Sequence, residues 1–255
     1  MKLLIGCPIY KRDWILNHWI RCLINQSISM EDIGFIFLTS SEDIQTVSIL
    51  ETWKKYDKKI PYFNIMYKDD VPHFEHQNNG RQWSISKYDN MVKLRNTLLK
   101  TVREVEPDYY FSLDSDILLE NPNTIELLIA HIKDGADAVN PLMFMTPIGT
   151  MYPSVMSWRP GDDTKAYRLE KYPLGSYFET DVIMAAKMMS KKVYQNIDYG
   201  IHQQGEDVSW SLSCRQNNYK LFCASYIYAP HIMSNLMYSE YLKNGDDRLK
   251  SYELV

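Results

Sequence analysis

The stretch Tyr109-Tyr110-Phe111-Ser112-Leu113-Asp114-Ser115-Asp116-Ile117-Leu118-Leu119 decides how the rest of the chain is read. It opens as an aromatic, apolar run of strand length, the pattern of a strand buried on both faces of a parallel sheet. Two carboxylates one residue apart interrupt it, and Asn121-Pro122 closes it. Ligands of open α/β sheets bind beyond the carboxyl ends of the strands, which is where Asp114 and Asp116 fall. Paired carboxylates repel each other there unless a cation or a basic residue lies between them. A hard divalent cation, Mg²⁺ or Mn²⁺, takes oxygen ligands and shares them with a substrate's phosphates. The stretch therefore reads as a metal–diphosphate platform. The plainer alternative is a strand ending in a polar turn, with Asp116 as a helix cap.

Moving outward toward the N-terminus, residues 88–105 carry the apolar stripe Met91, Leu94, Leu98 and Val102 of an amphipathic helix. Arg95 falls inside that stripe. A guanidinium on a buried face needs a carboxylate or phosphate partner, and Asp114 and Asp116 follow in the next strand; otherwise Arg95 snorkels to the helix edge. Further back, Lys2–Cys7 closed by Pro8, Ile33–Thr39 and Pro61–Tyr67 read as strands. Between them lie a helix capped by Asp13, with Ile15, Trp19, Cys22 and Leu23 on one face, and a helix over 43–56 burying Ile44, Val47, Leu50 and Trp53. This alternation predicts an α/β fold with a doubly wound, mostly parallel central sheet flanked by helices. The polar stretch 69–80 is a loop that suits a substrate-contacting flap. Its His73, Glu75 and His76 are weaker metal candidates.

Moving toward the C-terminus, a helix over Thr124–Asp134 turns Leu127, Leu128 and Ile132 inward, Gly135 ends it, and Ala136–Asn140 is a strand. Residues 141–178 mix prolines and glycines with Trp158 and many tyrosines. This irregular segment reads either as the wall and lid of a second pocket or as a satellite cluster over the sheet edge. Val182–Met188 is a strand, and Ser190 caps a short helix to about Ile197. Gly205-Glu206-Asp207 then opens a helix running through Arg215. Acids at that position favour the helix dipole, or they place a carboxylate base toward the pocket. Leu221–Tyr228 is the last strand, followed by Pro230-His231.

Composition narrows the function classes. The 255 residues fit a single α/β domain, with 1–120 as one half, 121–240 as the other and 241–255 as a tail. A net charge of −4 gives no electrostatic case for a nucleic-acid binder. No apolar run approaches the roughly 18 residues of a membrane span, and the first residues lack the pattern of a secretory signal. Cys7, Cys22, Cys214 and Cys223 form no C-x-x-C pair, so neither zinc nor a disulfide framework is signalled, and a cytoplasmic setting is expected.

Four segments, in order, resemble the GT-A-fold glycosyltransferases and, among them, the family-2-like group. They are Ile5-Gly6-Cys7-Pro8-Ile9-Tyr10-Lys11-Arg12 with Gln26, Leu94-Arg95-Asn96, Leu113-Asp114-Ser115-Asp116 (the D-x-D motif), and Gly205-Glu206-Asp207-Val208 with Arg215 and His231. The resemblance implies a nucleotide-diphosphate sugar donor, first of all a UDP-sugar, and a divalent metal, Mn²⁺ or Mg²⁺. It sets the nucleotide against Pro8, Tyr10, Arg12 and Asp43. It gives the metal to Asp116 and His231, with Asp114 on the ribose or a metal-bound water and Ser115 between the two acids. It makes Asp207, beside Glu206, the general base for an acceptor hydroxyl. The chain departs from the group at Leu38-Thr39-Ser40-Ser41, where acids usually read the base, and at Lys11 in place of a common Asn.

The chemistry is consistent with that assignment. A leaving nucleoside diphosphate develops charge that a metal neutralises, with Lys93, Arg95 or Arg215 adding to it. One carboxylate on the opposite face implies inversion at the anomeric carbon. The acceptor is a hydroxyl of a glycan, lipid, protein or modified nucleic acid. Two other classes remain: a non-catalytic nucleotide-sugar or glycan-binding module on the same fold, and a phosphohydrolase with Asp114 as nucleophile.

Overall fold

A computed structural model of the chain describes residues 1–72, 84–145, 152–169 and 172–246. His73, Glu75 and His76 lie outside the described residues, as does part of 141–178. The first half of the chain is β1 (Leu3–Pro8), α1 (Asp13–Ile24), β2 (Ile33–Thr39), α2 (Ile44–Tyr56), β3 (Phe63–Tyr67), α3 (Ile85–Val105) and β4 (Tyr109–Leu113). Next come α4 (Thr124–Lys133), β5 (Ala138–Leu142), β6 (Phe144–Met145), β7 (Tyr152–Pro153), β8 (Val155–Arg159) and β9 (Asp162–Arg168). The rest is β10 (Tyr177–Thr180), β11 (Val182–Ile183), β12 (Ala186–Ser190), α5 (Lys191–Asn196), α6 (Glu206–Gln216), β13 (Leu221–Tyr228) and α7 (Asn235–Asn244). Among the described residues no helix is long and apolar enough to cross a membrane.

One sheet has the strand order β10-β13-β5-β12-β4-β1-β2-β3. β3, β2, β1, β4, β5 and β13 run one way, and β12 and β10 run against them. The mostly parallel sheet read from the sequence is thus present, with two antiparallel insertions. β1 and β2 are covered on both faces, which is why Leu3-Leu4-Ile5 and Ile33–Leu38 are almost wholly apolar. Gly6 is required by close approach: a Cβ there would lie 2.5 Å from the Tyr110 hydroxyl. On one face of the sheet Phe35, Phe37, Trp53 and Phe63 pack as a cluster of mostly tilted rings, Trp53 and Phe63 edge to face, with Phe35 and Trp53 ring centres 4.6 Å apart.

The helices follow the expected stripes with local corrections. Arg12, not Asp13, is the N-cap of α1. In α2 the buried residues are Thr46, Leu50 and Trp53, Val47 is only half-buried, and Ile44 is 70% exposed. The first turn of α2 sets Thr46 inward, fully buried, and Ile44 outward. α4 buries Ile125, Leu128, Ile129 and Ile132, with Leu127 at the margin.

Two larger corrections concern the second half. Where described, 141–178 is not irregular. β8 and β9 form a hairpin that β11 extends into a three-stranded antiparallel sheet, and β6 pairs with β7. Pro160-Gly161 makes the turn between β8 and β9, and Val155, Met156 and Trp158 are buried. The expected strand over Val182–Met188 is broken. Ala185 adopts φ +60°, so β11 joins the small sheet and β12 the large one. That left-handed conformation costs an alanine roughly 1–2 kcal/mol, and the contact that holds it belongs to the site.

Candidate active site

β1 and β4 are adjacent, and the chain leaves them on opposite sides of the sheet, β2 and β3 lying beyond β1 and β12 beyond β4. The crevice between their carboxyl ends is the switch point at which ligands of such sheets bind. Pro8 ends β1 there, and Asp114-Ser115-Asp116 follows β4. Arg12 crosses the crevice: its Nη2 lies 3.1 Å from Asp116 Oδ2, and both side chains are buried. α1 braces the acidic turn from below. Trp19 Nε1 donates to the Asp114 carbonyl (3.2 Å), and Gln26 Nε2 donates to the Leu119 carbonyl (2.9 Å) while its Oε1 accepts from Ile125 N.

His231 reaches the same place from the other end of the chain. After β13 the backbone crosses back over β4's exit. Leu118 N donates to the Pro230 carbonyl (2.9 Å) and Ile232 N to the Asp116 carbonyl (2.7 Å), with Ile117 opposite His231 in an antiparallel bridge. His231 Nε2 consequently lies 3.3 Å from Asp116 Oδ1, each residue being 1% exposed. Among the described residues no group of three or more His, Cys, Asp or Glu side chains is arranged to hold a metal by itself. The donor set nonetheless fits a cation such as Mg²⁺ or Mn²⁺, which binds through one or two protein ligands and takes the rest from substrate phosphates and water. One carboxylate oxygen and one imidazole nitrogen, side by side, supply two ligands, and the imidazole suits Mn²⁺ better than Mg²⁺.

Asp114 belongs to a second cluster, built on α3. Position 95 carries the guanidinium into the buried stripe, as its phase requires. Arg95 Nη2 donates to Asp114 Oδ1 (2.9 Å), Nη1 to Ser112 Oγ (3.1 Å) and Nε to Glu206 Oε1 (3.1 Å). Asp207 Oδ1 stands 3.9 Å from Nε. Burial works against the Arg95 charge, but Asp114 and then Asp207 outweigh it, holding the group above its ordinary value. The neighbouring Asn96 fixes the segment ahead of α6: its Nδ2 donates to the Tyr199 carbonyl (2.9 Å) and its Oδ1 accepts from Tyr199 N (2.8 Å).

Glu206 and Asp207 open α6, where acids complement the helix dipole. Gly205 precedes them at φ +120°, ψ 165°, a conformation open almost only to glycine. An added Cβ would also lie 3.2 Å from the Tyr88 ring. Gly205→Ala is therefore expected to lower stability by roughly 1–3 kcal/mol, read by urea unfolding. An unchanged midpoint would mean the turn relaxes freely.

Asp207 meets two donors the sequence reading did not anticipate. Its Oδ2 accepts from Ala185 N (2.9 Å), and its Oδ1 pairs with Lys187 Nζ. Lys187 sits on β12, fully buried, with its ammonium 5.1 Å from the Tyr199 ring and 5.4 Å from the Trp210 ring. Burial pushes the Asp207 carboxyl up, but Lys187 and Arg95 pull harder, and the net shift is downward. Glu206 moves the other way, raised by burial and then by Asp207. Burial lowers Lys187 despite its partner.

Lys93 and Arg215 stand apart from the cluster. Lys93 is two positions, or about 200°, from Arg95 on the helix, and pairs with Asp89 on the exposed face. Arg215 lies at the far end of α6, roughly 12 Å from Asp207 at 1.5 Å per residue, on the exposed surface. Asp43 is buried: Oδ1 accepts from Thr46 N, capping α2, and Oδ2 accepts from Lys11 N in the segment that carries Arg12. Tyr10 lies half-buried beside Glu42 and Asp43, and Ser115 is buried against Cys7. The β8–β9 hairpin is stitched to the approach of α6, with Gln204 bonding both backbone groups of Ala166 and His202 meeting the Thr164 carbonyl.

Solved structures of GT-A glycosyltransferases share the fold that carries this crevice. GalNAc-T7 with UDP, GalNAc and Mn²⁺ superposes with a TM-score of 0.63 at 11% identity, over 91% of this chain and 44% of that one. TarS 1–349 of S. aureus, in complex with UDP-GlcNAc, gives 0.54 at 16% identity, over 94% of this chain and 61% of that one. The profile of the glycosyltransferase family 25 N-terminal domain matches residues 3–148. The chain belongs to glycosyltransferase family 25. Curated relatives include a glycosyltransferase 25 family member of Aedes aegypti, 25% identical over 130 residues, and procollagen galactosyltransferase 1-A of Xenopus laevis, 45% identical over 60 residues. These matches take in 51% and 24% of this chain but only 21% and 10% of the relatives' own lengths. The sequence resemblance thus named the fold and the glycosyltransferase class, and the profile match gives the family as family 25.

Proposed function

We propose that this chain transfers a sugar from a nucleoside-diphosphate donor to an acceptor hydroxyl, with a divalent cation held by Asp116 and His231 and with Asp207 as general base. The observation that carries the reading is the meeting of Asp116 and His231, far apart in sequence, at the carboxyl edge of β4. When bound there, the cation would supply Lewis-acid stabilisation of the charge on the departing diphosphate. Arg12 holds the Asp116 carboxylate in place across the crevice. Arg95 fixes Asp114 and Glu206 so that neither swings into the donor's path.

As the acceptor oxygen bonds to the anomeric carbon and the bond to the diphosphate oxygen breaks, the hydroxyl proton passes to Asp207. Each carboxylate oxygen carries two lone pairs. Ala185 N and Lys187 take one each, which leaves the outward pair for that proton. A single base on the face away from the leaving group gives inversion. The curated relatives named procollagen galactosyltransferases make galactose the first sugar to test.

Two measurements test the reading. Thermal shifts with a panel of nucleotide sugars, UDP-galactose included, should single out one donor, and should do so only with Mn²⁺. At a hundredfold excess over Kd the expected stabilisation is about 2.7 kcal/mol. In calorimetry, Mn²⁺ should tighten UDP binding by at least about tenfold, or ~1.4 kcal/mol, and Asp116→Ala should abolish that gain. A gain that survives in the variant refutes Asp116 as a ligand.

A further inference from the structure

A lysine wholly withdrawn from water is unusual, and Lys187 is placed where its charge acts on a single oxygen. It projects from β12 opposite Ser112 of β4, on the sheet face that α3 and α6 cover. Ser112 Oγ is already claimed by Arg95 and by the Tyr199 hydroxyl. The ammonium is therefore directed to Asp207 Oδ1, while Ala185, two residues earlier on the same segment, turns its N–H onto Oδ2. The left-handed backbone at Ala185 is what aims that N–H. The two rings beside the ammonium, Tyr199 and Trp210, present π-faces to it.

We propose that Lys187 is a positioning residue for the transfer reaction: together with the Ala185 N–H it clamps the Asp207 carboxylate from within the sheet, fixing its outward face and keeping it unprotonated. The proposal rests on Asp207 being the base. The groups facing Asp207 and Lys187 are Arg95 from α3, Asp114 beyond β4, Glu206 beside Asp207 on α6, Tyr199 ahead of α6 and Cys214 further along it. With Lys187 present, two cations answer three carboxylates. Without it, one guanidinium answers all three, and one carboxylate takes up a proton. The downward shift of Asp207 and the upward shift of Glu206 agree with Lys187 favouring the former.

The test uses the full chain with Lys187→Met, which keeps the length of the stem and removes the charge. The Asp207 carboxyl is followed by ¹³C NMR titration, its signal assigned by its loss in Asp207→Asn, and UDP-sugar turnover with Mn²⁺ is followed against pH. The expected result is an Asp207 titration displaced upward, an acid limb of kcat displaced in the same direction, and kcat lowered about 10- to 100-fold with UDP affinity unchanged. An Asp207 titration that does not move overturns the proposal whatever the activity does. A displaced titration with an unmoved acid limb also overturns it, and places the fault in the base assignment rather than in the clamp. If Lys187→Met does not fold, the wild-type titration decides. Asp207 ionising below the ordinary aspartate range supports the clamp, and ionisation within or above that range overturns it.

Discussion

Arg95→Met is expected to lower the stability of the fold by roughly 3–5 kcal/mol, the cost of removing one partner from a buried charge network. For a chain of this size that corresponds to about 6–20 °C in Tm. Methionine keeps most of the apolar stem, so the loss isolates the guanidinium. That group contacts Asp114, Ser112 and Glu206 and lies close to Asp207, at 2% exposure, where water offers no substitute. Removing it leaves three carboxylates with Lys187 as the one cation still touching them among the described residues.

The pH dependence has a definite sign. In the variant the carboxyls of the cluster are pushed upward, Glu206 first, beyond the value to which burial and Asp207 already raise it in the wild type. A group raised in the folded state contributes stability that is full below its unfolded value, about 4.3 for glutamate, and is lost as pH rises through the folded value. The gap between wild type and Arg95→Met should therefore narrow between pH 7 and about 4.5. Asp207 in the wild type has the opposite sign. Its depressed value gives stability present above about 3.9 and lost only as pH falls through the folded value, so it does not disturb that window. Urea unfolding at both pH values checks this; a constant gap would mean that Arg95 acts through packing alone.

Much of this arrangement could be read from residue order because it follows from period. Arg95 falls into the stripe of α3 by phase, and a buried guanidinium demands carboxylates, so the Asp114/Asp116 turn is its expected partner, and Asp114 is the member it takes. The same arithmetic, applied to Lys93 two residues away, would have turned it outward. β2 and β13 have the bounds their apolar runs suggest, since both are largely buried in the sheet and polar turns, or Pro230 after β13, flank them. What was not legible depended on backbone reversals and on distant partners. Ala185 breaks its strand without glycine or proline to announce it, because the Asp207 contact sustains the turn. The β8–β9 hairpin hides behind Pro and Gly content, of which Pro160-Gly161 makes its turn. Lys187 did carry a signal that was passed over: a lysine inside Ala186-Lys187-Met188-Met189, at the centre of a sheet, requires an acid somewhere in the chain.

Asp207→Asn should reduce sugar transfer by about 10²- to 10⁴-fold, the range for loss of a general base, while donor affinity stays nearly constant. The reasoning starts from the donor side. Asp116, His231 and Arg12 lie across the crevice, and Asp207 touches none of them, being held by Lys187, Ala185 N and the edge of Arg95. A loss confined to kcat is the signature of an interaction made only in the transition state. The amide does carry a structural penalty. Asparagine has one acceptor oxygen where aspartate has two, so either Lys187 or Ala185 N–H faces an NH₂ group, a mismatch of roughly 1–3 kcal/mol. Stability must therefore be measured on the same samples, and turnover read well below the variant's Tm. The informative control is Asp207→Glu, which restores the charge on a longer arm and should recover part of kcat. If Asp207→Asn instead weakens UDP-sugar binding in step with the loss of turnover, Asp207 serves the donor site and the base must be sought elsewhere. Glu206, already raised by its burial and held on Arg95, would be the next carboxylate to substitute.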